Sequence, residues 1–515
     1  MTIINLLSAA GNHLAGRVAV MVAATVFSTA MSIALLPLAT RALHAADYGG
    51  YALLMSIVTL VGTAMDGGAS LILPAKYGPA SAYERSRLFA TITAVAVLGA
   101  TAFALLLIGV ALCAPAASFG QDVPMNSIFA AAAIMPMRAV TSIAVISFST
   151  TGRSGAIALQ MIAQAFFVFV TTLVALFGFS AGGPSLVIGA AGGQLAAVAV
   201  CLGVLFHYGE LSINPSRRWL RWSLRNAPTS TTAGFMDGAR GFAEITFLVR
   251  FDGLHSAGIL GHARLYYNLL MALVSSVAHS VQVRSLADAR DRSSRMTRTR
   301  SAWTPVHMTL GCAGIFFALF GWNVVDIISN GKLVEAAPYI SMFIVIALIQ
   351  ISEQPAAAIV FASGSGGTAV RFRVILIFCA LVALFPAIKF FYVSGIIAVG
   401  IVEAILYRLY LRWLASRNRT VPFQDGVAYI ACLAIVTTAV WMHAAAPSLL
   451  ARIVWMVGGL ALVMYVGRRS IIEIAAEFRH LGGNDLRTSP KSIASPSIAH
   501  ASMQPEKLAN RKLTR

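Results

Sequence analysis

Acidic residues are scarce in this chain: 19 Asp and Glu among 515 residues, against 38 Lys and Arg. Charged residues of both signs make up only 11%, while apolar ones make up 58%. A soluble protein of this length cannot cover its surface with so few charges. The net charge of +19 therefore does not mark a nucleic-acid binder. Cysteine is sparse as well. Cys113, Cys201, Cys312, Cys379 and Cys432 all lie in apolar runs and form no CxxC pair, which argues against a zinc ribbon or a disulfide framework. Connections on one side are short, so no extracytoplasmic domain exists to house an active site. Ser363-Gly364-Ser365-Gly366-Gly367 is the nearest approach to a phosphate loop. It lacks the Lys-Ser/Thr ending and reads as a turn between spans, so the chain supplies no nucleotide site. The first cation is Arg17, and the apolar run after it is longer than the h-region of a cleavable signal.

What the chain has instead is a succession of apolar runs of about 20 residues, the length that crosses a bilayer as a helix. The runs fall near 17–40, 50–73, 88–114, 125–148, 155–179, 185–207, 227–249, 257–283, 304–329, 337–362, 370–391, 393–414, 425–445 and 448–467. That predicts an all-α polytopic membrane protein with about fourteen transmembrane helices.

Its cations are sorted by side. Every second connection is basic: Lys76, Arg85 and Arg87; Arg153; Arg217, Arg218, Arg221 and Arg225; Arg284, Arg290, Arg292, Arg295, Arg298 and Arg300; Arg371 and Arg373; Arg412, Arg417 and Arg419. The interleaved connections carry isolated cations such as Arg41, Arg250, Lys332 and Lys389. The positive-inside rule then places both termini in the cytoplasm. Run 227–249 is the weakest, because it holds Asp237, Arg240 and Glu244. Parity requires it to cross, since the basic stretches 208–226 and 284–302 share a side and 257–283 is a clear span.

Between the halves, Arg218, Arg221 and Arg225 share a helical face beside Trp219 and Trp222. This pattern fits either an interfacial helix or an ordinary basic loop. In the tail from residue 468, an apolar stripe over Ile471–Leu481 suggests a further interfacial helix. The composition beyond Gly482 predicts disorder. The expected units are 1–207, a linker 208–226, 227–414, a helix pair 425–467 and a tail 468–515.

A short repeat joins the halves. Leu43-His44-Ala45-Ala46 matches Leu254-His255-Ser256-Ala257, and at the same offset Gly50, Ala52 and Leu54 fall on Gly261, Ala263 and Leu265. Arg41 and Arg250 close the preceding spans. Both copies occupy the same topological place, so the halves read as parallel repeats about an axis along the membrane normal.

Arg41, the Leu43–Tyr51 turn (Leu-His-x-Ala-x-Tyr-Gly-x-Tyr), the Asp66-Gly67 pair and Ser256-Ala257-Gly258-Ile259-Leu260 carry a resemblance over the whole length. The chain resembles the Wzx-type polysaccharide and O-antigen flippases of the multidrug/oligosaccharidyl-lipid/polysaccharide (MOP) exporter superfamily. The resemblance implies two six-helix lobes, related by a parallel pseudo-two-fold repeat, in a V, plus two C-terminal helices in a bacterial inner membrane. It implies flipping of an undecaprenyl-pyrophosphate-linked oligosaccharide for lipopolysaccharide O-antigen, capsule or exopolysaccharide synthesis, in a pathway shared with a polymerase and glycosyltransferases.

Pyrophosphate calls for guanidinium groups, which grip phosphate bidentately and stay charged. Buried arginines with polar neighbours are therefore the candidates. Arg138 lies deep in its span after Pro136. Arg264 precedes Leu265-Tyr266-Tyr267; the resemblance to lipid II flippases favours it as a cavity residue, the alternative being that it snorkels to the interface, and Tyr267 is a further cavity candidate. Arg17 stands at the cytoplasmic mouth of the first span and serves either as a cavity cation or as a topology anchor. Asp237, Arg240 and Glu244, at i, i+3 and i+7, share a face and suggest a ladder in which two acids hold Arg240. Glu244, Glu353 (beside Gln350 and Pro355), Asp237 and Asp66 are candidates for proton or sodium coupling, as is the pairing of Glu244 with Glu353. No other cofactor and no metal is expected. Asp66 and Glu403 are lone acids at depth, able to pack helices when protonated. Gln160, Gln164 and Gln194 serve either as sugar contacts or as glue between helices.

Three classes follow. A lipid-linked oligosaccharide flippase leads, with lipid II as an alternative cargo. A cation-coupled multidrug or small-molecule exporter of the same fold is second, and an excess of acid over arginine in the cavity would favour it. An enzyme such as a glycosyltransferase would need a catalytic loop that the chain lacks.

Overall fold

The computed structural model describes residues 14–65, 73, 77, 80–113, 123–212, 214–287, 292–362, 366–417, 426–445 and 447–484. Every regular element among them is a helix. In chain order these are α1 (Leu14–Ala42), α2 (Ala45–Met65), α3 (Ala82–Cys113), α4 (Met125–Thr150), α5 (Ser154–Leu173, continued by a π turn to Gly178) and α6 (Pro184–His207). There follow α7 (Arg217–Ala287), α8 (Arg292–Ser329), α9 (Ala337–Ala362), α10 (Gly366–Arg417), α11 (Gly426–Ala445) and α12 (Leu449–Asn484).

Local sequence explains where these helices begin. At α2 the Asp47 carboxylate accepts the His44 N–H at 2.8 Å, half of a capping box. At α6, Pro184 occupies the first turn, where its missing N–H costs nothing. Helix α7 is two limbs joined at Gly253 (φ 85°, ψ 179°), a conformation open to glycine and costly for other residues. Helix α10 breaks in the same way at Tyr392 (φ 50°, ψ −126°).

Among the described residues, eleven helices are long and apolar enough to cross a membrane, and the chain is a multi-pass membrane protein. The sequence count of about fourteen goes further. It divides α10 at Tyr392, and it admits two spans within α7, whose ionisable residues keep it out of a count by composition.

Contacts at the two ends of the bundle support the alternation. Glu210, after α6, bonds Arg85 of α3 and Arg153 at the start of α5, so three basic connections meet at one end. At the opposite end, Lys332 Nζ donates to Arg41 O (2.7 Å) and Leu43 O (3.3 Å), and Thr40 Oγ1 donates to Ile328 O (2.8 Å). The α7 break joins that end: a Cβ on Gly49 would lie 1.9 Å from Leu254 O, and one on Gly258 would lie 1.9 Å from Ala45 O. The first limb of α7 thus runs from one end to the other, as parity required. The two copies of the short repeat lie against each other there.

Three expectations are refined. Of the two readings of the stretch from Arg217, helix and loop, the helical one holds, as the start of α7 and not as a separate helix. Trp219 is buried edge-on to Trp222 (5.8 Å), with Arg217, Arg218 and Arg221 exposed. Much of the basic 284–302 stretch is helical, because α8 begins at Arg292, in keeping with the good helix propensity of arginine. The stripe at 471–481 continues α12 and is not a separate helix. Residues 485–515 lie outside the described residues, and so do Lys76 and Asp66.

Candidate functional site

A cavity of about 720 Å³ opens between α1, α2, α5 and both limbs of α7. A second, of about 620 Å³, lies among α2, α4, α5 and α6. They share Tyr51, Met55, Gln164 and Val168, so they form one continuous space.

Arg138 lines the second cavity, half-buried on α4. Its Nη1 donates to Thr59 Oγ1 at 3.1 Å. Its stem passes Gly62, where an added Cβ would stand 3.1 Å from Nε. No carboxylate pairs with Arg138 among the described residues. Next to it, Gln160 Nε2 donates to Gln164 Oε1 (2.7 Å), Gln164 Nε2 to Gln194 Oε1 (3.2 Å), and Gln194 Nε2 to Thr141 Oγ1. The glutamines therefore both tie α4, α5 and α6 together and present a row of amides to the cavity.

The other two arginines are compensated. Arg240 Nε bonds Glu244 Oε1 at 2.9 Å, and Arg240 Nη1 reaches Glu403 on α10. Arg264 Nη2 bonds the second oxygen of Glu244, joining the two limbs of α7, and its guanidinium sits 5.5 Å from the Phe343 ring. Glu244 and Glu403 are buried. Such a chain of alternating charge can lie among apolar helices because each ion has its partner.

The expected ladder is corrected here. Asp237 does not hold Arg240 but pairs with Arg373 of α10, at 3.1 Å. Spacing along one helix cannot show that α10 brings its own acid and its own arginine. Glu403 is accordingly no lone acid. Three carboxylates, Asp237, Glu244 and Glu403, thus face three guanidiniums, Arg240, Arg264 and Arg373. Asp237 and Arg264 line the larger cavity, with the Arg240 group behind them. Tyr267 turns to α9, where its hydroxyl donates to Gln350 Oε1 at 3.3 Å. The side chains of Arg17 and Glu353, like Asp66, lie outside the described residues, so the pairing of Glu353 with Glu244 does too.

Sequence reasoning missed Glu210. Arg153 grips it with two bonds of 2.7 Å, Tyr77 donates to it at 3.0 Å, and Arg85 donates at 3.3 Å. Burial by itself would raise this carboxyl. Arg153 chiefly, with Tyr77 and Arg85, outweighs burial and holds it below the usual carboxylate range. The available signal was a single acid in a connection that shares its side with two arginine-bearing ones. His262, buried beside the larger cavity, was missed too, because one histidine in an apolar run carries no signal by itself.

Comparison with protein-family models and with curated proteins returns no match. Solved structures do match. The chain is similar to the lipid II flippase MurJ in its inward closed conformation, with a TM-score of 0.64 and 12% identity over 88% of this chain and 99% of that one. It is similar to a multidrug resistance MATE family transporter of the MOP superfamily, inward-facing, with a TM-score of 0.58 and 13% identity over 78% and 99%. A MOP superfamily transporter from Pyrococcus furiosus, described by the reverse polarity of its binding pocket, gives 0.53 and 13% over 82% and 99%. These relatives are transporters and flippases, not enzymes. At such identities the likeness speaks for architecture, and the architecture of this chain is the MOP transporter fold.

Proposed function

We propose that this protein flips an undecaprenyl-pyrophosphate-linked oligosaccharide across a bacterial inner membrane, as the Wzx-type flippases do, for polysaccharide synthesis. The basic end of the bundle is then cytoplasmic. The observation that carries the reading is Arg138, a cation without a carboxylate partner on a wall of glutamines, threonine and serine. Paired arginines elsewhere cancel their acids, so the net charge of the joined cavities comes from Arg138. An anionic, hydroxyl-rich headgroup suits that surface: a guanidinium for phosphate, amides for sugars, and a lipid tail left in the bilayer. A cationic drug finds no excess acid. MATE-like drug export is the second reading, favoured by Asp237, which lines the larger cavity half-exposed.

Complementation of a strain lacking its own flippase tests this. Arg138→Ala should lower export of the glycan by roughly ten- to a hundredfold at normal protein level, the cost of a lost charge-assisted contact. Arg138→Lys should recover part of it, since lysine restores the charge without the planar fork. Normal export by the alanine variant removes the anion reading.

A further inference from the structure

His262 stands where the lobes touch. It lies on the second limb of α7, eight residues beyond Leu254, so about 12 Å below the Gly253 break. Just above it the helices meet backbone to backbone, at Gly258 on Ala45 and at Gly49 on Leu254, with no room for a methyl group. His262 is 1% exposed and lines the larger cavity. Its ring meets Tyr48 of α2 edge-on at 5.8 Å and Tyr266 of its own helix at 5.2 Å. Nε2 lies 3.3 Å from the Tyr266 hydroxyl, while Nδ1 has no partner, and neither has the Tyr48 hydroxyl.

We propose that His262 is a proton-binding site that couples opening of this seal to the pH of the outer compartment. The proposal rests on the two-lobe transporter reading and does not depend on the cargo. The closed arrangement suits a neutral imidazole better than a charged one, because one nitrogen meets the Tyr266 hydroxyl and no counter-ion is at hand. An imidazolium carries two donors and a charge. Hydroxyl groups around it can accept from an N–H, but no unpaired carboxylate is there to balance the charge. From α2 come Tyr48 and Tyr51. From α7 come Tyr266, Arg264 already bound to Glu244, and Asp237 already bound to Arg373. From α8 the Phe317 ring packs against Tyr266 at 5.7 Å. The cavity-lining residues of α1 and α5 carry no charge. A buried charge without a partner is costly. The closed state therefore binds fewer protons at His262 than an open, hydrated one.

Linkage fixes the sign. Lowering the pH favours the state that binds more protons, so acid should open the seal. Below the open-state pKa the ratio of open to closed rises by at most about tenfold per pH unit. Histidine is suited to this because its ordinary titration falls between about pH 5 and 8. The first polar group beneath the seal would thus take a proton from outside only when the seal parts.

Spin labels on Ala46→Cys and Ile327→Cys, one in each lobe at this end, can follow the seal by double electron–electron resonance in nanodiscs. The background replaces the five native cysteines. Between about pH 8 and about pH 5 the long-distance population should grow in the wild type and stay fixed in His262→Gln. His262→Asn, with an amide at the Nδ1 position, serves if the glutamine variant does not accumulate. His262→Lys should hold the seal open at neutral pH. A pH-independent wild type, or a glutamine variant with the full response, overturns the proposal. If instead no condition separates the labels, even added lipid-linked oligosaccharide, the moving-lobe reading fails with it.

Discussion

Arg240 shows how a residue can be legible in kind and illegible in partnership. Its span was bound to be unusual, because ionisable groups in an apolar run must face protein or water. Its acids could not be named, because Glu403 lies 163 positions away on α10 and meets it only in three dimensions. The pairing predicts the behaviour of variants. Arg240→Gln strands Glu403 and leaves Glu244 with Arg264 alone, and should destabilise the protein by about 3–5 kcal/mol, seen as a lower melting temperature in detergent. Arg240→Gln with Glu403→Gln should recover most of that loss, whereas Arg240→Gln with Asp237→Asn should not. Recovery by the Asp237 double alone would restore the same-face ladder. Glu210 gives a second test at this scale. Its folded-state carboxyl lies below the ordinary range, so the stability it adds is complete above the unfolded carboxylate range, about pH 5, and is lost as pH falls through the lower folded value. Glu210→Gln should lower the melting temperature near neutral pH and flatten its acid dependence. An unchanged acid limb would show that the cluster is not what acid breaks.

Helices were the most legible level. Apolar length and the sorting of cations located nearly every element, since a bilayer leaves a chain few other ways to satisfy its backbone. What stayed hidden was that helix runs unbroken past the apolar spans: the face at Arg218, Arg221 and Arg225 left helix and loop open, and nothing marked α8 from Arg292, because hydropathy measures burial in lipid and not helicity. Contacts between helices were hidden too. The repeat at Leu43 and Leu254 showed equivalent places but not that the copies touch. That contact yields the prediction for the element scale. Gly258→Ala sets a methyl group against the Ala45 carbonyl, and overpacking of this kind costs about 1–3 kcal/mol. The seal should be weakened while the lobes stay folded. Labelling of Tyr48→Cys by a membrane-impermeant maleimide from the outer side should rise. Unchanged labelling would mean that the helices slide past the methyl group without parting.

For the whole molecule, the architecture was within reach of the sequence, and the division of charge between the lobes was not. Arginines could be counted along the chain, but their neutralisation had to be seen. Of Arg138, Arg240 and Arg264, only Arg138 brings uncompensated charge to the cavity. The proposed site is one-sided: an anion held by the first lobe, with the paired charges of the second as a neutral wall. Binding of an undecaprenyl-pyrophosphate oligosaccharide to the purified protein by native mass spectrometry tests this most directly, with a cationic dye as competitor. The wild type should bind the lipid-linked glycan and be indifferent to the dye. Arg138→Ala should lose roughly ten- to a hundredfold in affinity, while the Arg240→Gln, Glu403→Gln double variant keeps it. Equal binding by Arg138→Ala, or displacement of the glycan by the dye, would contradict the account.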